Sequence, residues 1–250
     1  MSKVLVEREG PVVTITINRP EVRNAFDPET AALLADAFRD FAADDELKVA
    51  VLTGTGGDFS TGADLKALSR GETPRLEEDG DSPVGPVRMR LRKPVIAAVA
   101  GYAVAGGMAL ALWADLRVVE RSATFGMPDR KVGVPIVGGV TVTLPRIVGL
   151  SHAMDIILTG RMVDADDAYR MGIANRLVED GTALDEARAL AHELADLPWD
   201  CLVNDRLSLI EGMDLPRDSA ELNEFRQGMK VFGASEMLQG TTAFTRRKEG

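Results

Sequence analysis

Cysteine is nearly absent. Cys201 stands alone in 250 residues, which excludes an internal disulfide framework and any metal site built on several cysteines. Histidine is almost as scarce, with only His152 and His192, and no His/Asp/Glu cluster has ligand spacing, so no metal is expected. Basic residues are outnumbered, 29 Lys and Arg against 39 Asp and Glu. The net charge of −10 disfavours nucleic acid as a partner, because phosphate backbones need a basic surface. No G-x-S-x-G elbow and no Gly-Lys-Ser/Thr phosphate loop occurs. Residues 1–10 carry no charged-then-apolar leader, so the chain reads as cytoplasmic. With 45% hydrophobic and 27% charged residues the composition is that of an ordinary globular protein, long enough to bury a full core.

What is present centres on residues 93–115. An apolar run over 95–100 leads through small residues to Ala105-Gly106-Gly107 and then to a second uncharged run. The run over 95–114 is long enough by count for a membrane span, but three glycines interrupt it and no further span follows. We read a buried strand, a tight turn without bulky side chains, and a buried helix starting near Ala105. The N–H groups of a helix start have no intrahelical acceptors, and the helix dipole adds partial positive charge there. Such a place suits an oxygen that acquires negative charge.

The remaining pattern is α/β. Residues 3–8 and the β-branched run 12–18 predict a strand pair turning at Glu9-Gly10-Pro11. Asp27 is an N-cap with Pro28 at the first helical position, and Leu33, Leu34, Ala37, Phe38 and Phe41 follow at helical spacing. Residues 48–53 predict a buried strand. The glycines after it do not make a dinucleotide loop, since Phe59 stands where the third glycine is needed. Ala63 offers a second N–H at the start of a short helix. Residues 70–86, rich in Gly, Pro and acids, read as a mobile loop and lid candidate. Further strands are expected at 116–119, 123–126 and 175–178, with Asp164 and Asp167 starting a helix that Gly172 ends. From Thr182 the pattern is helix upon helix, broken at Pro198, Pro216 and Gly233. Strands early and helices late indicate an α/β core of strand-strand-helix units, 1–195, and a helical region, 196–250. Cys201, beside Trp199 and Leu202, reads as a packed thiol.

Several fragments together carry a family resemblance. Asn18-Arg19-Pro20 with Arg23-Asn24-Ala25, the stretch Phe59-Ser60-Thr61-Gly62-Ala63-Asp64-Leu65-Lys66, and Pro94 to Ala103 with Gly106-Gly107 resemble the crotonase, or enoyl-CoA hydratase/isomerase, superfamily. Phe125-Gly126-Met127-Pro128, Leu158-Thr159-Gly160 and Gly240-Thr241-Thr242-Ala243-Phe244 add to it, in register from about residue 3 to 248. The resemblance implies a crotonase-like spiral of ββα units, with residues 196–250 as a trimerisation region in a homotrimer or dimer of trimers. The implied ligand is an acyl-coenzyme A thioester, with coenzyme A as part of the substrate and no separate cofactor, membrane or nucleic acid. By the same resemblance, the N–H groups of Ala63 and Gly106 would hold the thioester oxygen as an enolate forms. Arg23, Ala25, Thr61, Asp64, Leu65 and Lys66 would lie along the coenzyme A, with Arg23 and Lys66 suited to its phosphates. Phe244 and Arg247 would reach a neighbouring subunit's ligand. The competing assignment for all four of these larger side chains is an ordinary solvated surface.

The departures from the family pattern are informative. Hydratases of the family carry two glutamates that handle water and its proton, the usual work of paired carboxylates. Here the first position is Ala109 and the second is Asp129, whose reach is shorter by about 1.5 Å, one carbon-carbon bond. Three readings stay open. Asp129 shuttles a proton between carbons in double-bond isomerisation; it acts as the only base in water addition or thioester hydrolysis; or it is ion-paired with Arg130, Lys131 or another cation, and the chain binds acyl-CoA with little chemistry. A serine hydrolase is a remote alternative, since self-compartmentalising proteases share the spiral core, but neither histidine sits in a triad-like setting.

Overall fold

The computed structural model describes residues 2–248, and their side chains except those of residues 243 and 246–248. Strands β1 (Val4–Glu9) and β2 (Val12–Ile17) form an antiparallel hairpin, with Val4 opposite Ile17. Every residue of β2 is buried, because β3 (Val49–Gly54) pairs with it in parallel and covers its other edge. Parallel neighbours β4 (Val95–Val99), β6 (Leu116–Glu120) and β9 (Arg176–Val178) extend the sheet to six strands in the order β1-β2-β3-β4-β6-β9. Parallel strands buried on both faces read as continuous apolar runs, which is what 49–53 and 95–99 show.

A second, three-stranded sheet was not legible beforehand. The stretch read as a turn after β4 contains β5 (Tyr102–Val104), which pairs in parallel with β7 (Thr124–Gly126); β7 pairs antiparallel with β8 (Met162–Asp164). The strand expected at 123–126 is β7, whereas β5 and β8 are too short for alternation to register, and the pairing of all three is a tertiary property. The uncharged run 95–114 is accordingly divided among β4, β5 and a short helix.

The helices follow their caps. Helix α1 (Pro28–Ala43) starts at Asp27, whose carboxylate accepts from the Thr30 N–H at 2.9 Å. Helix α2 (Leu65–Ser69) starts at Asp64, and α3 (Gly106–Trp113) at Ala105. Helix α4 (Val140–Thr159) leaves helical geometry at Gly149, φ 77°. Helix α5 (Ala165–Met171) runs from Asp164 to Gly172, and α6 (Ala183–Ala195) follows β9.

Residues 70–80 are largely exposed, as expected of a surface loop, and Val84 and Pro86 behind them are buried. Arg75 donates to the Asp79 and Asp81 carbonyls, Arg88 to the Glu77 carbonyl at 2.8 Å, and Arg39 to the Asp81 carboxylate at 2.7 Å. Of the loop's acid side chains, Asp79 is held by Arg75 at 2.9 Å and Asp81 by Arg39 at 2.7 Å.

The chain divides into two compact units, Met1–His192 and Glu193–Gly250. In the second, α7 (Trp199–Gly212), α8 (Arg217–Val231) and α9 (Ser235–Lys248) follow one another. The Glu236 carboxylate of α9 accepts from the Trp199 N–H at 2.6 Å, capping α7. Cys201 is exposed, not packed, because the turn of α7 sets its Sγ on the outer face, 3.8 Å from Asp205 Oδ2.

In the first unit the core holds α1 against α3. Phe38 is fully buried, and its ring meets Trp113 edge-on at 4.8 Å. Replacing Phe38 by Ala removes both the burial and the ring pair, so urea unfolding is expected to show a loss of about 3–5 kcal/mol. A loss under about 1 kcal/mol would mean that α1 and α3 do not depend on this contact.

Candidate active site

Two backbone amides are left over at the centre of the first unit. Residue 63 forms an isolated parallel bridge with Phe26, in which the Phe26 N–H donates to the Gly62 carbonyl at 2.8 Å and the Asp64 N–H donates to the Phe26 carbonyl at 3.0 Å. In a parallel bridge the partner flanked in this way turns its own N–H to the opposite side. Gly106 is the first residue of α3, where N–H groups have no intrahelical acceptor. Neither the Ala63 nor the Gly106 N–H has a hydrogen-bond acceptor among the described residues.

Glycine makes the approach between these segments possible. A Cβ on Gly62, φ 84°, would come within 2.6 Å of the Gly106 nitrogen; one on Gly106 would come within 2.5 Å of the Phe26 ring; one on Gly107 would meet the Ser60 carbonyl at 2.1 Å. Ala105 adopts φ 54° and ψ −123°, a conformation that costs a non-glycine residue about 1–3 kcal/mol and that clusters at functional sites. Asn24, fully buried and itself left-handed, holds the facing segment: its side chain donates to the Thr55 carbonyl at 2.7 Å and the Asp58 carbonyl at 2.6 Å.

Two cavities meet here. One of about 310 Å³ is lined by Phe26, Ala63, Gly106, Ala109, Met127 and Asp129, and its far walls are Leu68, Leu76, Val84, Ile136 and Val137. The other, about 480 Å³, is lined by Arg23, Ala25, Thr61, Leu65 and Lys66. Ala63, Asp64, Ala105, Asp129 and Val134 line both, so a ligand can pass from the polar groove into the apolar chamber. Part of the wall comes from residues 70–86, the segment expected as a lid candidate, whereas the walls drawn from 134–138 carry no motif and were not expected.

Asp129 sits at the junction, on a turn of 3-10 helix, Pro128–Lys131, that follows β7. Its Oδ2 is buried without a hydrogen-bond partner among the described residues. The expected alternative of pairing with Arg130 or Lys131 is not what forms, since Arg130 donates instead to the Val134 carbonyl at 2.5 Å. Burial pushes the Asp129 carboxyl above the usual range, against the weaker pull of the Arg130 charge. Ala109 is 3% exposed, and a Cβ on Gly138 would lie 3.0 Å from its methyl group.

The chamber's other acids are committed. Asp64 caps α2, accepting from the Lys66 and Ala67 N–H groups, and pairs with Arg19 at 3.0 Å. Glu72 pairs with Arg70 at 2.7 Å. On the groove side, Arg23 and Lys66 are exposed, with Arg23 over the Tyr102 ring at 5.2 Å and 3.9 Å from Asp58. Ala25 is buried, Leu65 is exposed, and the Thr61 hydroxyl donates to the Arg23 carbonyl at 3.3 Å. Phe244 is exposed on α9, in the other compact unit; the Arg247 side chain lies outside the described residues. Neither histidine lines either cavity: His152 is exposed and His192 lies 3.6 Å from Glu9. Among the described residues no group of three or more His, Cys, Asp or Glu could hold a metal.

A six-stranded, mostly parallel sheet joined to helices, with two acceptor-free amides beside an apolar chamber, is an α/β fold with a site suited to an oxygen that gains negative charge. Comparison with known proteins narrows it. The family model described as enoyl-CoA hydratase/isomerase matches residues 7–249, and the chain belongs to that family. A carnitinyl-CoA dehydratase of Salmonella enteritidis PT4 is 42% identical over 192 residues, covering 76% of this chain and 73% of the relative. The crystal structure of an enoyl-CoA hydratase from Mycobacterium tuberculosis H37Rv superposes with a TM-score of 0.91 at 39% identity, over 98% of this chain and 96% of that one. That of the enoyl-CoA hydratase EchA1 from Mycobacterium marinum gives 0.91 at 36% identity, over 98% and 96%. The crotonase fold expected from sequence is thus the fold found, and the relatives are enzymes of the hydratase/isomerase type.

Asp27, which also lines the chamber, links the site to stability. Burial raises its carboxyl, but hydrogen bonds from Lys3 and Thr30 and the charge of Arg19 outweigh this and bring it to about 2 from 3.8. A depressed carboxyl stabilises the fold above its unfolded value and loses that contribution as pH falls through the folded value. Asp27→Asn is therefore expected to cost about 2 kcal/mol at pH 7 and to flatten the stability decline between about pH 4 and pH 2. Urea titrations at several pH values test this; parallel wild-type and variant curves would refute it.

Proposed function

We propose that this protein binds an acyl-coenzyme A thioester, with the carbonyl oxygen between the N–H groups of Ala63 and Gly106, and eliminates water from the acyl chain or adds it, using Asp129 as the only acid–base group. The observation that carries the reading is the meeting of two acceptor-free amides and one partly buried carboxyl, whose Oδ2 has no partner among the described residues, on a single apolar chamber. Elimination is placed ahead of other chemistry because the Salmonella relative is named a dehydratase. The groove bearing Arg23 and Lys66 would take the nucleotide end, and the chamber an uncharged acyl group.

The chemistry follows from charge. Asp129 as carboxylate takes the proton from the α-carbon, and the electron pair of that C–H bond moves toward the thioester oxygen. Two N–H donors aimed at that oxygen are each worth on the order of 3 kcal/mol to the transition state. The enolate then re-forms the carbonyl, the β C–O bond breaks, and the proton held by Asp129 leaves with the hydroxyl as water. A carboxyl raised by burial suits the second half, since it holds a proton more readily than an exposed aspartate. With Ala109 offering no second carboxyl, a proton shuttle between carbons is the second reading: isomerisation of the double bond by the same residue.

Incubation with a 2-enoyl-CoA and mass analysis of the product separate these outcomes. A product one water heavier supports hydration, an isomer of unchanged mass supports the shuttle, and free coenzyme A indicates hydrolysis. No product at all would defeat the acid–base role. Asp129→Ala is expected to lower kcat by about 10²–10⁴-fold. Because burial destabilises the charged form, Asp129→Asn should raise Tm at pH 7 while abolishing turnover. Retained turnover removes Asp129 from the mechanism.

If Arg23 and Lys66 meet coenzyme A phosphates, the double charge reversal Arg23→Glu with Lys66→Glu raises KM about tenfold with kcat little changed. Added salt would weaken substrate binding in the wild type more than in the variant. Equal KM values across the two proteins would place the phosphates elsewhere.

A further inference from the structure

Arg117 is a buried cation, 5% exposed, at the far end of the helix that starts at Gly106. Its Nη1 donates to the carbonyls of Ala114 at 2.7 Å and Ala111 at 3.5 Å, where α3 ends. Its Nε donates to the Ile173 carbonyl and its Nη2 to Asn175 Oδ1 at 2.9 Å, so these four side-chain bonds go to uncharged oxygens. Asn175 Oδ1 also accepts from the Arg117 N–H at 2.9 Å. Burial lowers the guanidinium to about 10, with Asp115 opposing, and it stays charged at neutral pH. Asp115 itself accepts from the Val95 N–H at 2.8 Å.

Helix α3 has eight residues, about 12 Å of axis. In so short a helix the partial negative charge at the C-terminus lies close enough to subtract from the positive field at the N-terminus. A full positive charge bonded to the C-terminal carbonyls reverses that subtraction, and in a buried setting water screens it little. The same bonds fasten the end of α3 to β6 and to the segment after α5, fixing the direction of the helix.

We propose that Arg117 is a positioning residue for the reaction, which sharpens the field of α3 at the Gly106 N–H and so favours the enolate over the neutral thioester. The proposal rests on the acyl-CoA reading above. It concerns charge, and the test separates charge from structure.

Asn175→Asp keeps an acceptor oxygen for both Arg117 bonds and sets a carboxylate against the guanidinium. The probe is acetoacetyl-CoA, whose enolate is followed by its near-ultraviolet absorbance as bound ligand is titrated with base. The ratio of bound enolate to bound neutral ligand at a given pH should fall about sixfold in Asn175→Asp, on the scale of one charge about 15 Å away at an effective dielectric of about 20. Arg117→Met should lower it at least as far, Arg117→Lys should restore most of it, and total affinity for acetoacetyl-CoA should change less than the enolate fraction. Should Asn175→Asp fold normally and leave the enolate fraction unchanged, Arg117 is a structural clamp and the proposal falls while the acyl-CoA reading stands. Failure of the wild type to bind acetoacetyl-CoA overturns both. If Arg117→Met does not fold, Asn175→Asp and Arg117→Lys decide alone.

Discussion

The backbone of Gly62 lies against the start of α3 with no room for a single carbon between them. This contact sets the remaining geometry. It requires Gly62, Gly106 and Gly107 together, and it is accompanied by an unfavourable backbone at Ala105. Its effect is to bring a β-bridge and a helix start side by side, each with one N–H that no protein acceptor takes. A hydrogen-bond donor left without a partner costs on the order of 1–3 kcal/mol when buried, and both of these lie on residues that line the cavity.

Charge is distributed with the same economy. Of the acids around the chamber, Asp27 is bound by Lys3 and Thr30, Asp64 by Arg19 and the first turn of α2, and Glu72 by Arg70. Asp129 alone among these four has a buried oxygen with no partner among the described residues. Ion-paired carboxyls are held charged and hold their protons poorly; an unpaired, partly buried carboxyl does the reverse. The environment therefore singles out one acid of four for proton transfer, a choice that residue type could not make.

Much of the first unit was legible because its signals are local. Asp27-Pro28 starts α1, Asp164 starts α5, Gly172 ends it, and the breaks at Pro198, Pro216 and Gly233 separate α6 to α9. Caps and breakers act within four residues, so a sequence displays them. The three-residue strands of the second sheet, the arginine bracing of residues 70–86 and the exposure of Cys201 depend on partners distant in the chain or on which way a helix faces.

The sequence by itself determined the family, the order of the elements and the presence of two glycine-flanked amides, since backbone propensity and motif order are written residue by residue. Only the tertiary structure decided that the two amides go without acceptors, that the apolar chamber adjoins a polar groove, and that Asp129 stays unpaired while its neighbours do not. Hydrogen-bond satisfaction and burial are properties of surroundings, and for these residues the surroundings come from segments tens of residues away.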